Sequence, residues 1–124
     1  SAQFDCRFPL CAQEKALLSR LSAALSPLGA EVTDPGLVPP HCVPEDDPFV
    51  QTLLGVYHDY TGQSARCLAI GGGTYVHDIP GGVAFGCAMP GVDNRMHGAD
   101  EFAYVSDLVA SAKIFAQVIA DLCK

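Results

Sequence analysis

The chain has 124 residues, 49% of them hydrophobic and 17% charged, the composition of a folded globular segment rather than a disordered one. Fourteen acidic residues against seven basic ones give a net charge of -7. With no Lys/Arg cluster to neutralise phosphates, nucleic acid is excluded as a partner.

The first predicted element is a short strand over Phe4-Asp5-Cys6-Arg7-Phe8-Pro9. Polar Asp5 and Arg7 alternate with apolar Phe4, Cys6 and Phe8, which is the period of a half-buried strand, and Pro9 stops it. An amphipathic helix follows from about Ala12 to Leu25, with Leu17, Leu18, Leu21, Ala24 and Leu25 at helical spacing. Pro27 and Gly29 close it, and a second short strand is expected around Glu31 to Thr33. Such a strand-helix-strand unit is the size of half a ferredoxin-like lobe. Residues 34–44 then carry four prolines and read as an extended crossing, the natural place for a lobe boundary.

A second helix opens at Asp47, a good N-cap, with Pro48 at the first helical position. Phe49, Val50, Leu53, Leu54 and Tyr57 form its buried stripe, and Gly62 ends it. Cys67-Leu68-Ala69-Ile70 reads as a buried strand running into the turn Gly71-Gly72-Gly73-Thr74, and Val83 to Met89 as a further strand. The last helix is expected from Ser106, with Leu108, Ala112, Phe115, Ile119 and Leu122 as its main stripe, widened by Val109, Ile114 and Val118. The predicted fold class is therefore α/β.

No apolar run reaches the roughly 18 residues of a membrane span, and no basic-then-apolar leader opens the chain. The six cysteines are scattered without a CxxC, the pattern of free thiols in a reducing cytoplasm. Cys6, Cys67 and Cys87 fall in the strand-like stretches, where cysteine packs as a small hydrophobe.

Three places could carry chemistry. Three glycines after an apolar run let something approach the backbone closely, and N–H groups in such a turn can hold a carboxylate; a tight connection between strands uses the same residues. His97 lies in the polar loop Asp93-Asn94-Arg95-Met96-His97-Gly98-Ala99-Asp100-Glu101, where a neutral imidazole can bind a metal and Asp100 or Glu101 can orient it. On that description alone a solvated loop histidine is the commoner case, as His58 is on its helix, and one histidine cannot hold a catalytic metal. Arg7, between two aromatic residues, suits a bidentate contact with a carboxylate, or an ordinary surface ion pair.

The ordered set Gly71-Gly72-Gly73-Thr74-Tyr75, Val83-Ala84-Phe85-Gly86, Pro90-Gly91, His97 and Glu101, with Asp5-Cys6-Arg7-Phe8-Pro9 upstream, resembles the C-terminal region of PepV-type dipeptidases. These are co-catalytic zinc peptidases, in one group with aminoacylases and carboxypeptidase G. The resemblance covers nearly the whole chain. It implies that residues 1–42 are the second half of a lid or dimerisation-type lobe, and residues 43–124 the C-terminal part of a catalytic domain. It further implies that His97 is a zinc ligand and that Arg7 reaches the free C-terminal carboxylate of a small peptide substrate. Gly72, Gly73 and Thr74 would hold the substrate, and Glu101 would support the ligand. Two zinc ions, replaceable by manganese or cobalt, would be the cofactors of the intact enzyme.

No catalytic residue would lie in this chain, since the general base and the other ligands belong to the family's N-terminal part. The chain is thus expected to be an inactive fragment that needs that missing part and self-associates through uncovered apolar surface. Two positions depart from the family pattern: His77 stands where an arginine is usual, and Asp100 where an asparagine is usual. The residues alone also fit a stand-alone α/β small-molecule-binding or dimerisation domain.

Overall fold

The structure, a computed structural model, describes residues 1–33, 36, 38–86 and 88–124. The chain divides into two compact units, Ser1–Cys42 and Val43–Lys124. In the first unit, helix α1 spans Glu14–Leu25 and a 3-10 turn, Ser26–Leu28, continues it. Gly29 closes that turn in the left-handed region, and Ala30 N–H reaches back to the Leu25 carbonyl at 3.3 Å. Leu17, Leu18 and Leu25 are half-buried, and no described residue of this unit is buried.

The second unit is organised by helices α2, Pro48–Thr61, and α3, Val105–Leu122. Helix α2 begins where its capping chemistry dictates. The Asp47 Oδ1 accepts from the Phe49 amide at 2.8 Å, and Pro48 occupies the first turn, where no amide hydrogen is needed. At the far end Gly62 adopts φ 67°, and its N–H caps the His58 carbonyl at 2.7 Å. The two helices pack on each other through Leu53 and Val56 of α2 and Ile114 and Val118 of α3. Phe49, Tyr57, Val83 and Phe85 flank this core, and Phe85 meets Phe115 edge-on at 5.5 Å.

The α/β expectation is corrected by the structure: among the described residues there are helices and 3-10 turns but no strand. Residues 4–9, 31–33 and 67–70 form no ladder; Phe8 and Val32 are half-buried, while Phe4 is 87%, Leu68 74% and Ile70 63% exposed. Alternation specifies which face a strand would bury. It does not supply the neighbour whose N–H and C=O groups complete the ladder, and that neighbour makes a strand. The half-lobe of strand, helix and strand reduces to α1 alone. Cys6 and Cys67 are accordingly exposed rather than packed. Cys87 of the expected strand Val83–Met89, and Asp34, Pro35 and Leu37 of the proline-rich crossing, lie outside the described residues.

Helix α3 also departs from its predicted face. It buries Ser111, Ile114 and Val118, and leaves Leu108, Ile119 and Leu122 exposed. The helix is apolar on two sides, so periodicity alone cannot say which one α2 covers. Ser106 lies inside the helix, and Tyr104 takes the N-cap position without a side-chain cap. Among the described residues no helix is long and apolar enough to cross a membrane.

Candidate functional site

The segment from Asp93 to Phe102 is a closed loop held by its own polar groups. The Asp93 Oδ1 accepts from the Arg95 amide at 3.1 Å, and the Asn94 Oδ1 from the Met96 amide at 3.2 Å. Two successive Asx turns of this kind bend the chain sharply. Gly98 N–H donates to the Arg95 carbonyl at 2.7 Å. A Cβ at Gly98 would stand only 3.0 Å from that same carbonyl oxygen, so a larger residue would force this tight return to give by a few tenths of an ångström. Phe102 N–H donates to the Asn94 carbonyl at 3.2 Å and shuts the loop at its base.

Arg95, His97 and Asp100 all have left-handed backbone, with φ of 57°, 64° and 59°. Each such residue without glycine's freedom costs roughly 1–2 kcal/mol. The conformation is held by the turns above and by an Arg95–Asp100 ion pair at 3.5 Å. His97 sits within this brace, exposed to solvent, and its imidazole makes no hydrogen bond or ion pair with a described residue. Its backbone amide donates to the Glu101 Oε2 at 3.4 Å. Glu101 thus touches the main chain of His97 rather than its ring.

The glycine turn is open. An added Cβ at Gly71 or Gly73 would meet nothing within 4 Å, and neither residue needs the left-handed region. The fold of this chain therefore gives no steric reason for glycine at those two positions. Thr74 is extended and leads into a 3-10 turn, Tyr75–Asp78. The His77 Nδ1 lies 3.4 Å from the Thr74 amide nitrogen and 3.2 Å from the Thr74 carbonyl oxygen.

Arg7 belongs to the first unit. Its Nη2 and Nε both reach the Asp5 Oδ2, at 3.0 and 3.2 Å. Both side chains are largely exposed, so this is a surface pair that a competing carboxylate can exchange. Among the described residues, no group of three or more His, Cys, Asp or Glu side chains is placed to hold a metal ion. The structure thus joins His97 to Glu101, and Thr74 to His77. It does not assemble a metal centre from the described residues.

Two contacts were not anticipated in the sequence. The Arg95–Asp100 pair spans His97, and the only hint of the loop's shape is the adjacent Asp93-Asn94, both Asx-turn formers. The His77 ring on Thr74 follows the three-residue spacing of a capping box, with an imidazole in place of the usual Glu or Gln.

No family model and no solved structure matches the chain. Curated relatives do. The chain is 36% identical over 118 residues to a putative dipeptidase, YtjP, of Bacillus subtilis, covering 95% of this chain and 25% of that protein. It is 42% identical over 110 residues to the Beta-Ala-Xaa dipeptidase of Lactobacillus delbrueckii subsp. lactis, covering 89% of this chain and 22% of that one. A putative dipeptidase of Staphylococcus epidermidis is 31% identical over 117 residues. The resemblance to dipeptidases runs through nearly the whole chain, which spans about a quarter of the length of these relatives.

Proposed function

We propose that this chain is the C-terminal part of a zinc-dependent dipeptidase, to which it contributes a metal ligand and substrate contacts rather than a complete active site. The observation that carries this reading is the similarity to dipeptidases over 89–95% of the chain. A loop closed by its own hydrogen bonds, in which the exposed His97 imidazole has no polar partner among the described residues, supports it.

His97 would be one zinc ligand. The described residues do not fit a whole centre, since a catalytic zinc takes three protein ligands and no such group is present among them. No hydrolytic step is therefore assigned to these residues. Glu101, bonded to the His97 amide, would hold the ligand's backbone in place. The backbone at Gly72, Gly73 and Thr74 would lie against the substrate, which accounts for a glycine at position 73 that the chain's own packing does not require. Arg7 would bind the free C-terminal carboxylate of a short peptide, displacing Asp5 from a guanidinium that suits bidentate recognition. A Beta-Ala-Xaa dipeptide, the substrate in one relative's name, is a natural first compound to try.

In this reading the cofactors are two zinc ions, or manganese or cobalt in their place, and the setting is cytoplasmic. The exposed Phe4, Leu28, Leu68 and Ile70 support self-association of the chain on its own. The test compares the intact protein carrying this segment with the 124-residue chain. The intact protein should hydrolyse dipeptides and lose activity to a chelator, while the chain alone should hydrolyse none. Zinc-dependent cleavage by the chain alone, or no cleavage by the intact protein, would overturn the reading.

A further inference from the structure

We propose that the outer face of helix α3 is a docking surface for the part of the dipeptidase that precedes this chain, so that α3 is an interior helix of the intact protein. The inference rests on the reading of this chain as one part of a longer dipeptidase. It starts from the distribution of residues around α3. Ser111, Ile114 and Val118 form the side buried in the contact with α2. At 3.6 residues per turn, the adjoining sector of about 160° runs from Leu122 through Leu108, Ile119 and Val105 to Ala120, and every helical residue in it is apolar. The polar Ser106, Lys113 and Gln117 share a narrow edge on the other side of the buried face. Val105, Leu108, Val109, Ile119 and Leu122 are nevertheless between 44% and 75% exposed. A surface helix turns charged or polar residues to water, and a helix apolar on nearly all sides belongs in an interior. The apolar surface also continues past the helix, into a cleft of about 250 Å3 whose lining includes Met89, Val92, Phe102 and Leu108.

The occupant follows from what lies outside the chain. The chain spans 25% and 22% of two dipeptidases that it matches over nearly all its own length. A part several times larger than this chain is ample to cover one helix face. Its contact surface must be apolar, because a charge pressed against this sector would lose its water and find no partner. A second copy of the chain offers such a surface too, but it brings the same net charge of -7, and like charge opposes association. The preceding part is joined covalently, so it meets the face at an effective concentration that a free copy does not reach.

Hydroxyl-radical footprinting of the intact wild-type protein, taken from the monomer peak of a sizing column, tests this without any substitution. Labelling of Leu108, Ile119 and Leu122 is compared between the native and the urea-unfolded protein. Left as exposed as in this structure, these side chains would be labelled only about twofold more slowly when native. Covered to the level of core residues, they should be labelled at least about tenfold more slowly. A ratio near twofold would overturn the proposal, and so would protection that appears only in a dimer peak, where a second copy is the occupant. As a second readout, Ile119→Lys should lower the Tm of the intact protein by at least about 5 °C, since the new charge is buried without a partner. Lys113→Gln, on the polar edge, should leave Tm nearly unaltered. An Ile119→Lys protein as stable as wild type would also overturn the proposal. Dipeptide hydrolysis by the same wild-type preparation separates the two claims: cleavage together with an unprotected face sinks the docking surface and leaves the dipeptidase reading standing.

Discussion

Truncating Ile114 to alanine removes three carbons from the centre of the α2–α3 contact. Ile114 is 3% exposed and packs with Leu53, Val56 and Val118, and only five hydrophobic side chains are buried among the described residues. Losing a buried Ile to Ala costs about 2–5 kcal/mol. Small domains are stable by only about 5–15 kcal/mol in total. In a unit of this size each kcal/mol is worth about 4–8 °C in Tm, so Tm should fall by at least about 8 °C. The control is Ile119→Ala on the opposite side of the same helix. Ile119 is 61% exposed, and its truncation should cost less than about 0.5 kcal/mol. Urea unfolding of the 124-residue chain followed by far-UV circular dichroism reads both variants, as shifts in midpoint at constant slope. Equal losses at the two positions, or a larger loss at Ile119, would refute the assignment of the helix face.

Ser111 lies on the same buried face, and its Oγ has no hydrogen-bond partner among the described residues. Ser111→Ala should therefore stabilise the unit by about 1 kcal/mol, and destabilisation in the same urea experiment would mean that the hydroxyl is satisfied. Hydrogen bonds from Lys124 and Gln117 hold the Asp121 carboxyl below the usual carboxylate range. Its contribution to the end of α3 is present above the ordinary Asp pKa and is lost as pH falls through the lowered value. Lys124→Ala should move the carboxyl titration back upward by NMR, and an unmoved titration would remove Lys124 as its cause. In the intact protein, Asp5→Asn should lower KM for dipeptides by a few-fold, because it removes the carboxylate that competes for Arg7. A raised KM would show that Asp5 orients the arginine instead.

Helix α2 was legible in the sequence because its limits are local chemistry: Asp47 and Pro48 at one end, Gly62 at the other. The buried face of α3 was not, since Leu108 and Ile119 are as apolar as Ile114 and Val118, and only the partner helix distinguishes them. The strands failed for a related reason. Phe4 to Pro9 and Cys67 to Ile70 have strand composition, but pairing is a non-local event that composition does not encode. His97 was singled out by the order of motifs around it. The left-handed backbone at Arg95 and His97 was invisible, because neither residue favours that region as glycine does. Glu101 was expected near the ligand, and its contact with the His97 amide rather than the imidazole needed coordinates. His77 reads as a substitution in sequence, and the place of its ring beside Thr74 likewise needed coordinates.

The most direct test of the account is zinc titration of the intact protein and its His97→Ala variant, by competition with a chromophoric chelator. Loss of a ligand should weaken binding of zinc by at least about tenfold, since even a supporting partner of a ligand is worth about 10–100-fold. Circular dichroism should show an unaltered fold, because His97 is exposed to solvent. Equal zinc affinity in the two proteins would remove His97 from the metal site and contradict the account at its centre.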